Sequence, residues 1–150
     1  MPNPSGDTGT AKFTKTPTGY LMVLLQGDDL IAQLEALILS ERIPSASFSA
    51  IGFAKIATFG FFDFVKKQYD PGSFENVEMA SITGTLAWKD GQPSVHAHGV
   101  ACDHSFAAVG GHLLALEVGT GSLEITITTH LRKLERKLDP NIGANVLRIQ

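Results

Sequence analysis

The sequence predicts an α+β domain in which one main helix packs on a face of a largely antiparallel or mixed β-sheet. Three observations carry this expectation. Only one stretch, following Asp28 and Asp29, has helical periodicity. After Pro44 small, β-branched and aromatic residues dominate, as in strands. Between two of those runs lies Asp90-Gly91, the pair that supplies positive φ in tight hairpins. A length of 150 residues fits one domain, and 43% hydrophobic with 18% charged residues is a globular composition. A doubly wound dinucleotide-binding fold is excluded, since strands and helices do not alternate and no phosphate-binding glycine fingerprint is present.

Taken in order, residues 1–18 (MPNPSGDTGTAKFTKTPT) lack apolar periodicity and read as a flexible leader, which leaves 19–150 as the single domain. From Gly19 the run YLMVLLQ reads as a strand buried on both sides. Asp28 or Asp29 is a suitable N-cap for a helix with Leu30, Ile31, Leu34, Leu37 and Ile38 on one face, ending before Pro44. SASFSAIGFAKIATFGFFDF reads as two strands bent or bulged at Gly52 and Gly60. Asp70-Pro71-Gly72 reads as a turn, and Val77 to Trp88 as a further strand. Across the Asp90-Gly91 hairpin the next strand runs from about Ser94 to Ala101. GGHLLALEVGTGS and LEITITTHL supply two more strands, and LRKLERKLDPNI reads as a helical turn or a charged strand extension.

Twelve Lys and Arg against fifteen Asp and Glu give a net charge of -3, so no global positive field attracts a phosphate backbone. Arg132, Lys133, Arg136 and Lys137 are diluted by Glu135 and read as a solvated face. Cys102 is the single cysteine and can make no intrachain disulfide, which fits a reducing compartment. No apolar run is long enough to span a bilayer, so a cytoplasmic protein without a membrane partner is expected.

Chemistry concentrates in the histidines. His96 and His98 in SVHAHGV are two apart; alternate strand residues face the same way, about 6–7 Å apart along the strand, so both imidazoles can reach one point. His112 in VGGHLL lies on the next strand, with Gly110 and Gly111 permitting close backbone approach. Three neutral imidazoles with an open fourth position suit Zn²⁺, and also Ni²⁺, Co²⁺ or Cu²⁺. An HxH pair also fits an ordinary polar strand face, so the pattern by itself leaves both readings open. Cys102 reads as a small buried residue, His104 as a loop residue, and His130 as solvated or at an interface. No nucleophile elbow or readable acid pair is present.

The order SFSAIGFAKIATFGFF, GSFENVEMASITGTL, VHAHGV, VGGHLL and LEITI, from about Gly19 to Arg132, resembles the plants-and-prokaryotes conserved (PPC) domain. The resemblance implies a homotrimer in which His96, His98 and His112 form a divalent-metal site, most simply for Zn²⁺, which purification can strip. In plants the domain follows AT-hook DNA-binding motifs, and a DNA-binding label has spread to stand-alone prokaryotic members. This chain carries no Arg-Gly-Arg-Pro core, which points to such a member. Gly72-Ser73-Phe74-Glu75 lacks the Arg of the plant Gly-Arg-Phe-Glu partner-binding segment. The resulting expectation is a trimeric binding or assembly module whose ligand is an unidentified small molecule or protein, with no DNA binding by the isolated domain. A zinc-dependent enzyme using Glu117, Asp103 or His104 as proton acceptor is the alternative. A DNA-binding regulator is a further alternative resting on the family label.

Overall fold

The computed structural model describes residues 12–149. Its elements are β1 (Phe13–Thr16), β2 (Gly19–Leu25), α1 (Leu30–Glu41), β3 (Ser45–Asp63), β4 (Gln68–Lys89), β5 (Gln92–Cys102), β6 (Ala108–His130), β7 (Glu135–Asp139) and β8 (Ala144–Arg148). All eight strands belong to one sheet, antiparallel except for a single parallel bridge between Trp88 of β4 and Glu135 of β7. The α+β expectation holds, and no helix among the described residues is long and apolar enough to cross a membrane.

Helix α1 forms where its periodicity places it. The Asp29 carboxylate accepts a hydrogen bond from the Ala32 N–H at 2.8 Å, satisfying one of the donors a helix leaves open at its start. Arg42 then turns left-handed (φ 53°) and ends the helix. Leu30, Leu34, Leu37 and Ile38 are buried against the sheet, each contributing about 1.5–3 kcal/mol by leaving water. They meet an apolar sheet face made by Met22, Leu24, Phe48, Leu123, Ile125 and Ile127. Among the described residues no helix covers the opposite sheet face, and Leu21, Val23 and Leu25 of β2 are exposed on it, so the reading of β2 as buried on both sides is overturned.

Several boundaries differ from expectation, each for a local reason. Residues 13–16 of the expected leader form β1, paired antiparallel with β2, and the Phe13 and Tyr20 rings meet edge to face at 5.7 Å. The remainder of the leader reading, residues 1–11, lies outside the described residues. Instead of two strands, 45–63 is one continuous strand, with register shifts at Gly52 and between Thr58 and Phe59 but no break; 108–130 is likewise continuous. Asp70-Pro71-Gly72 is not a turn. It lies within β4, on the stretch that has β3 on one side only, and such an edge tolerates a proline's missing donor. The turn falls earlier, at residues 64–67, where the Asp63 carboxylate accepts from the Val65 and Lys66 N–H groups. Asp90 (φ 51°) and Gly91 (φ 77°) make the β4–β5 hairpin as expected. The charged segment after Leu134 is the β7–β8 hairpin, held to β4 because the Trp88 N–H donates to the Leu134 carbonyl at 3.0 Å.

The long strands close a circuit of pairings: β3 pairs with β4 and β6, and β5 also pairs with β4 and β6. The circuit requires β5 and β6 to approach closely at Gly110. A Cβ there would lie 2.2 Å from the Gly99 carbonyl oxygen and 3.1 Å from the Val100 Cα, and backbone cannot give way cheaply. Gly110→Ala should therefore cost about 1–3 kcal/mol in urea denaturation, a typical penalty for overpacking. Gly72→Ala, whose added methyl meets nothing nearer than a Phe74 ring atom at 3.7 Å, should be close to neutral.

Candidate metal centre

Strand alternation on β5 buries Ala97 and turns His96 and His98 to the face opposite α1. His98 is directly across from His112 on β6, and His112 is also in register with Gly60 of β3. His112 is thus fixed by strands on both sides. The ring centroids of His96 and His98 are 5.2 Å apart, those of His96 and His112 5.2 Å, and those of His98 and His112 5.5 Å. One ligand nitrogen from each ring lies within 4.8 Å of the other two. Tetrahedral zinc with Zn–N bonds of about 2.0–2.1 Å needs donors about 3.3 Å apart, a contraction that side-chain rotation can supply with the strands in place. Three imidazoles are also the right donor chemistry for zinc and its borderline neighbours, so the residues present fit the group.

The electrostatics favour the neutral, ligating form of two of the rings. Loss of water around His112 lowers its pKa to about 4, and His96 and His98 push in the same direction. The pKa of His96 is also lowered, first by desolvation, then by the Arg136 charge, then by His98. Tyr69 stacks on His112, with centroids 4.4 Å apart and planes 17° from parallel. This is possible because residue 60 has no side chain: a Cβ there would be 2.8 Å from Tyr69 Cδ1.

Beside the rings lies a pocket of about 210 Å³, lined among others by Phe62, Tyr69, His96, His112, Arg136 and Asn145. One wall comes from the β3–β4 end and another from the β7–β8 hairpin, and the two are tied where Lys67 Nζ donates to the Pro140 carbonyl at 2.8 Å. Arg136 overturns its expected place on a solvated face. It is 5% exposed; its Nε donates to Ser94 Oγ at 3.1 Å, and its Nη2 donates to the Thr85 hydroxyl and carbonyl oxygens at 2.6 and 3.1 Å. Thr85 is the cross-strand neighbour of His96, which is why the guanidinium acts on that ring.

The other candidates go elsewhere. His104 is exposed in a tight loop after β5, organised by the Asp103 carboxylate, which accepts from Ser105 and Ala107 and whose pKa is lowered by those bonds. Glu117 pairs with Lys55 at 3.3 Å. Cys102 is half-buried at the end of β5, less enclosed than expected. His130 lies within hydrogen-bond distance of the Ser47 hydroxyl, at 2.9 Å. None of these lines the pocket beside the histidines.

The sequence of residues 11–130 matches the model of the Plants and Prokaryotes Conserved (PCC) domain. The chain belongs to that family. A candidate DNA-binding protein from Ralstonia eutropha JMP134 is 57% identical, with 93% of this chain and 96% of that one covered and a TM-score of 0.90. A metal-containing protein from Archaeoglobus fulgidus is 28% identical, with coverage of 93% and 100% and a TM-score of 0.78. A plant- and prokaryote-conserved protein from Pyrococcus horikoshii is 28% identical, with coverage of 95% and 99% and a TM-score of 0.79. Among curated proteins, none matches the chain.

The lowered pKa of His112 carries a pH dependence whose sign is fixed. Between its ordinary value near 6.5 and about 4, the unfolded chain binds a proton on residue 112 that the folded chain does not. Stability of the metal-free protein should therefore fall as pH drops through that window. In thermal denaturation with a chelator present, the loss between pH 7 and 4.5 should be smaller for His112→Asn than for the wild type; equal losses would contradict the assignment.

Proposed function

We propose that the chain is a trimeric module that binds a divalent metal, most simply Zn²⁺, through His96, His98 and His112 and presents it to a small ligand. The observation that carries this reading is the convergence of three imidazoles on one sheet face within 4.8 Å of one another. That a family relative from Archaeoglobus fulgidus is a metal-containing protein supports it. With three protein ligands, the ion would keep a position open to water or ligand, where it would act as a Lewis acid. Around that position this chain's residues orient and exclude: Tyr69 holds the His112 ring by stacking, and the pocket walls limit what can enter. The lone Cys102 suits a reducing, cytoplasmic setting.

Self-association is supported by the uncovered sheet face. Leu21, Val23 and Leu25 are each about half exposed, at 47, 47 and 56%, and Ile51 and Phe53 add 55 and 42%. Apolar surface of this kind on a soluble fold commonly marks an interface. The Ralstonia relative's DNA-binding description transfers poorly by comparison. The net charge is -3, Arg136 is withdrawn from the surface, and Lys133 is engaged by Glu135 at 3.5 Å.

Elemental analysis of untagged protein should find zinc near one per chain, and replacing any one of the three histidines with Ala should weaken zinc retention at least tenfold, because two imidazoles chelate poorly. Full retention in all three variants would refute the site. Light scattering at micromolar concentration should give about three times the chain mass, unchanged by duplex DNA at physiological salt. A monomer would refute the assembly, and a mass increase on adding duplex would restore the regulator reading.

A further inference from the structure

We infer that Arg136 and the histidine centre together form a two-ended subsite for a small organic carboxylate, whose acid group pairs with the guanidinium while its other end faces the metal position. Arg136 carries a full charge at 5% exposure, and among the described residues no carboxylate pairs with it. Buried guanidinium groups are ordinarily matched by an anion, because removing the charge from water is costly. Here Nε and Nη2 are held by Ser94 and Thr85, which are neutral acceptors. Nη1 makes no hydrogen bond among the described residues, where no fully buried side-chain nitrogen or oxygen lacks a partner, so Nη1 keeps some exposure on a side chain that lines the pocket. Two nitrogens therefore fix the group, and the third is left for something that enters.

The charge balance makes the same demand. The pocket that Arg136 lines also contains His96 and His112. A divalent ion on the neutral imidazoles would add positive charge close to an already uncompensated cation, and an anion between them relieves both. The pocket's size and lining select the class. About 210 Å³ is less than the roughly 300–1,000 Å³ of sites for drug-sized ligands, so the occupant is small. Arg136 is the only Lys or Arg among the described residues that line the pocket. One guanidinium with one free nitrogen balances a monoanion better than a phosphate dianion, which draws several donors. Asn145 and Tyr69, on opposing walls, supply polar and aromatic surface for the rest of a hydroxy or keto acid.

The inference rests on the metal reading for one end of the site and on Arg136 alone for the other, so the test separates them. Zinc-loaded protein, with zinc content measured in each sample, is titrated calorimetrically with lactate and pyruvate, with lactamide and pyruvamide, and with inorganic phosphate. The acids should bind at least tenfold more tightly than their neutral amides and than phosphate. Arg136→Gln should abolish this preference with zinc retained, and Arg136→Lys should keep part of it. Should Arg136→Gln fail to fold, the Arg136 Nε–Hε resonance of the wild-type protein gives the same decision: it should shift on adding lactate and stay still on adding lactamide. Acids no tighter than amides, tighter phosphate, undiminished acid binding by folded Arg136→Gln, or an unmoved resonance would each overturn the inference. Loss of zinc with the lactate-induced shift intact would count against the metal reading only.

Discussion

The pairing of one residue on two sides governs this structure. At His112, β6 is in register with His98 of β5 and with Gly60 of β3, and this double constraint closes the circuit of long strands. The register of each strand is pinned elsewhere by burial: a slip of one residue would carry Ile125 and Ile127 from under α1 to the open face. The core thereby sets the imidazole geometry on the other side of the sheet. A hydrophobic free energy spent beneath α1 is converted into positional accuracy at a polar site that itself buries little.

The site also shows how unlike groups share a confined space. His112 is held toward its neutral form by lost hydration and by His96 and His98, and His96 by lost hydration, Arg136 and His98, whereas Arg136 cannot shed its charge and is held by a hydroxyl and carbonyl cage. Arg136 arrives there because Trp88 captures the chain at Leu134 and bridges to Glu135, which sets where the next residue falls. The Trp88 indole N–H in turn donates to the Ile43 carbonyl just beyond α1, at 2.9 Å. The position of the guanidinium thus depends on contacts made far from the pocket.

What the sequence revealed and what it concealed divide along physical lines. The helix, the Asp90-Gly91 hairpin and the three histidines were legible because each rests on short-range rules: a side-chain period, a turn needing positive φ, two residues on one strand face. Strand continuity through Gly52 and Gly60 was not, since whether a glycine bends a strand or sits in a bulge depends on the partner strands. Pro71 misled for a similar reason, as only the sheet order shows that its strand lacks a second neighbour there. Arg136 left no local trace. The one apolar residue of β7, Leu138, is 59% exposed, so hydrophobic alternation gave no hint that the neighbouring arginine is the buried member. Tyr69 was hidden because its meeting with His112 needs the gap left by Gly60 on a third strand.

The hydrogen bond from Lys67 to the Pro140 carbonyl joins two turns that are distant in sequence and belong to neither histidine strand. These two turns are therefore separate in sequence from the strands that hold the imidazoles, although Tyr69, just beyond one of them, stacks on His112. Loops tolerate insertion and replacement better than paired strands, so changes at either turn alter the pocket's surroundings at less cost than changes in β5 or β6. Within such a family a retained histidine triad is compatible with widely divergent occupants, and the two turns are where that divergence would be written.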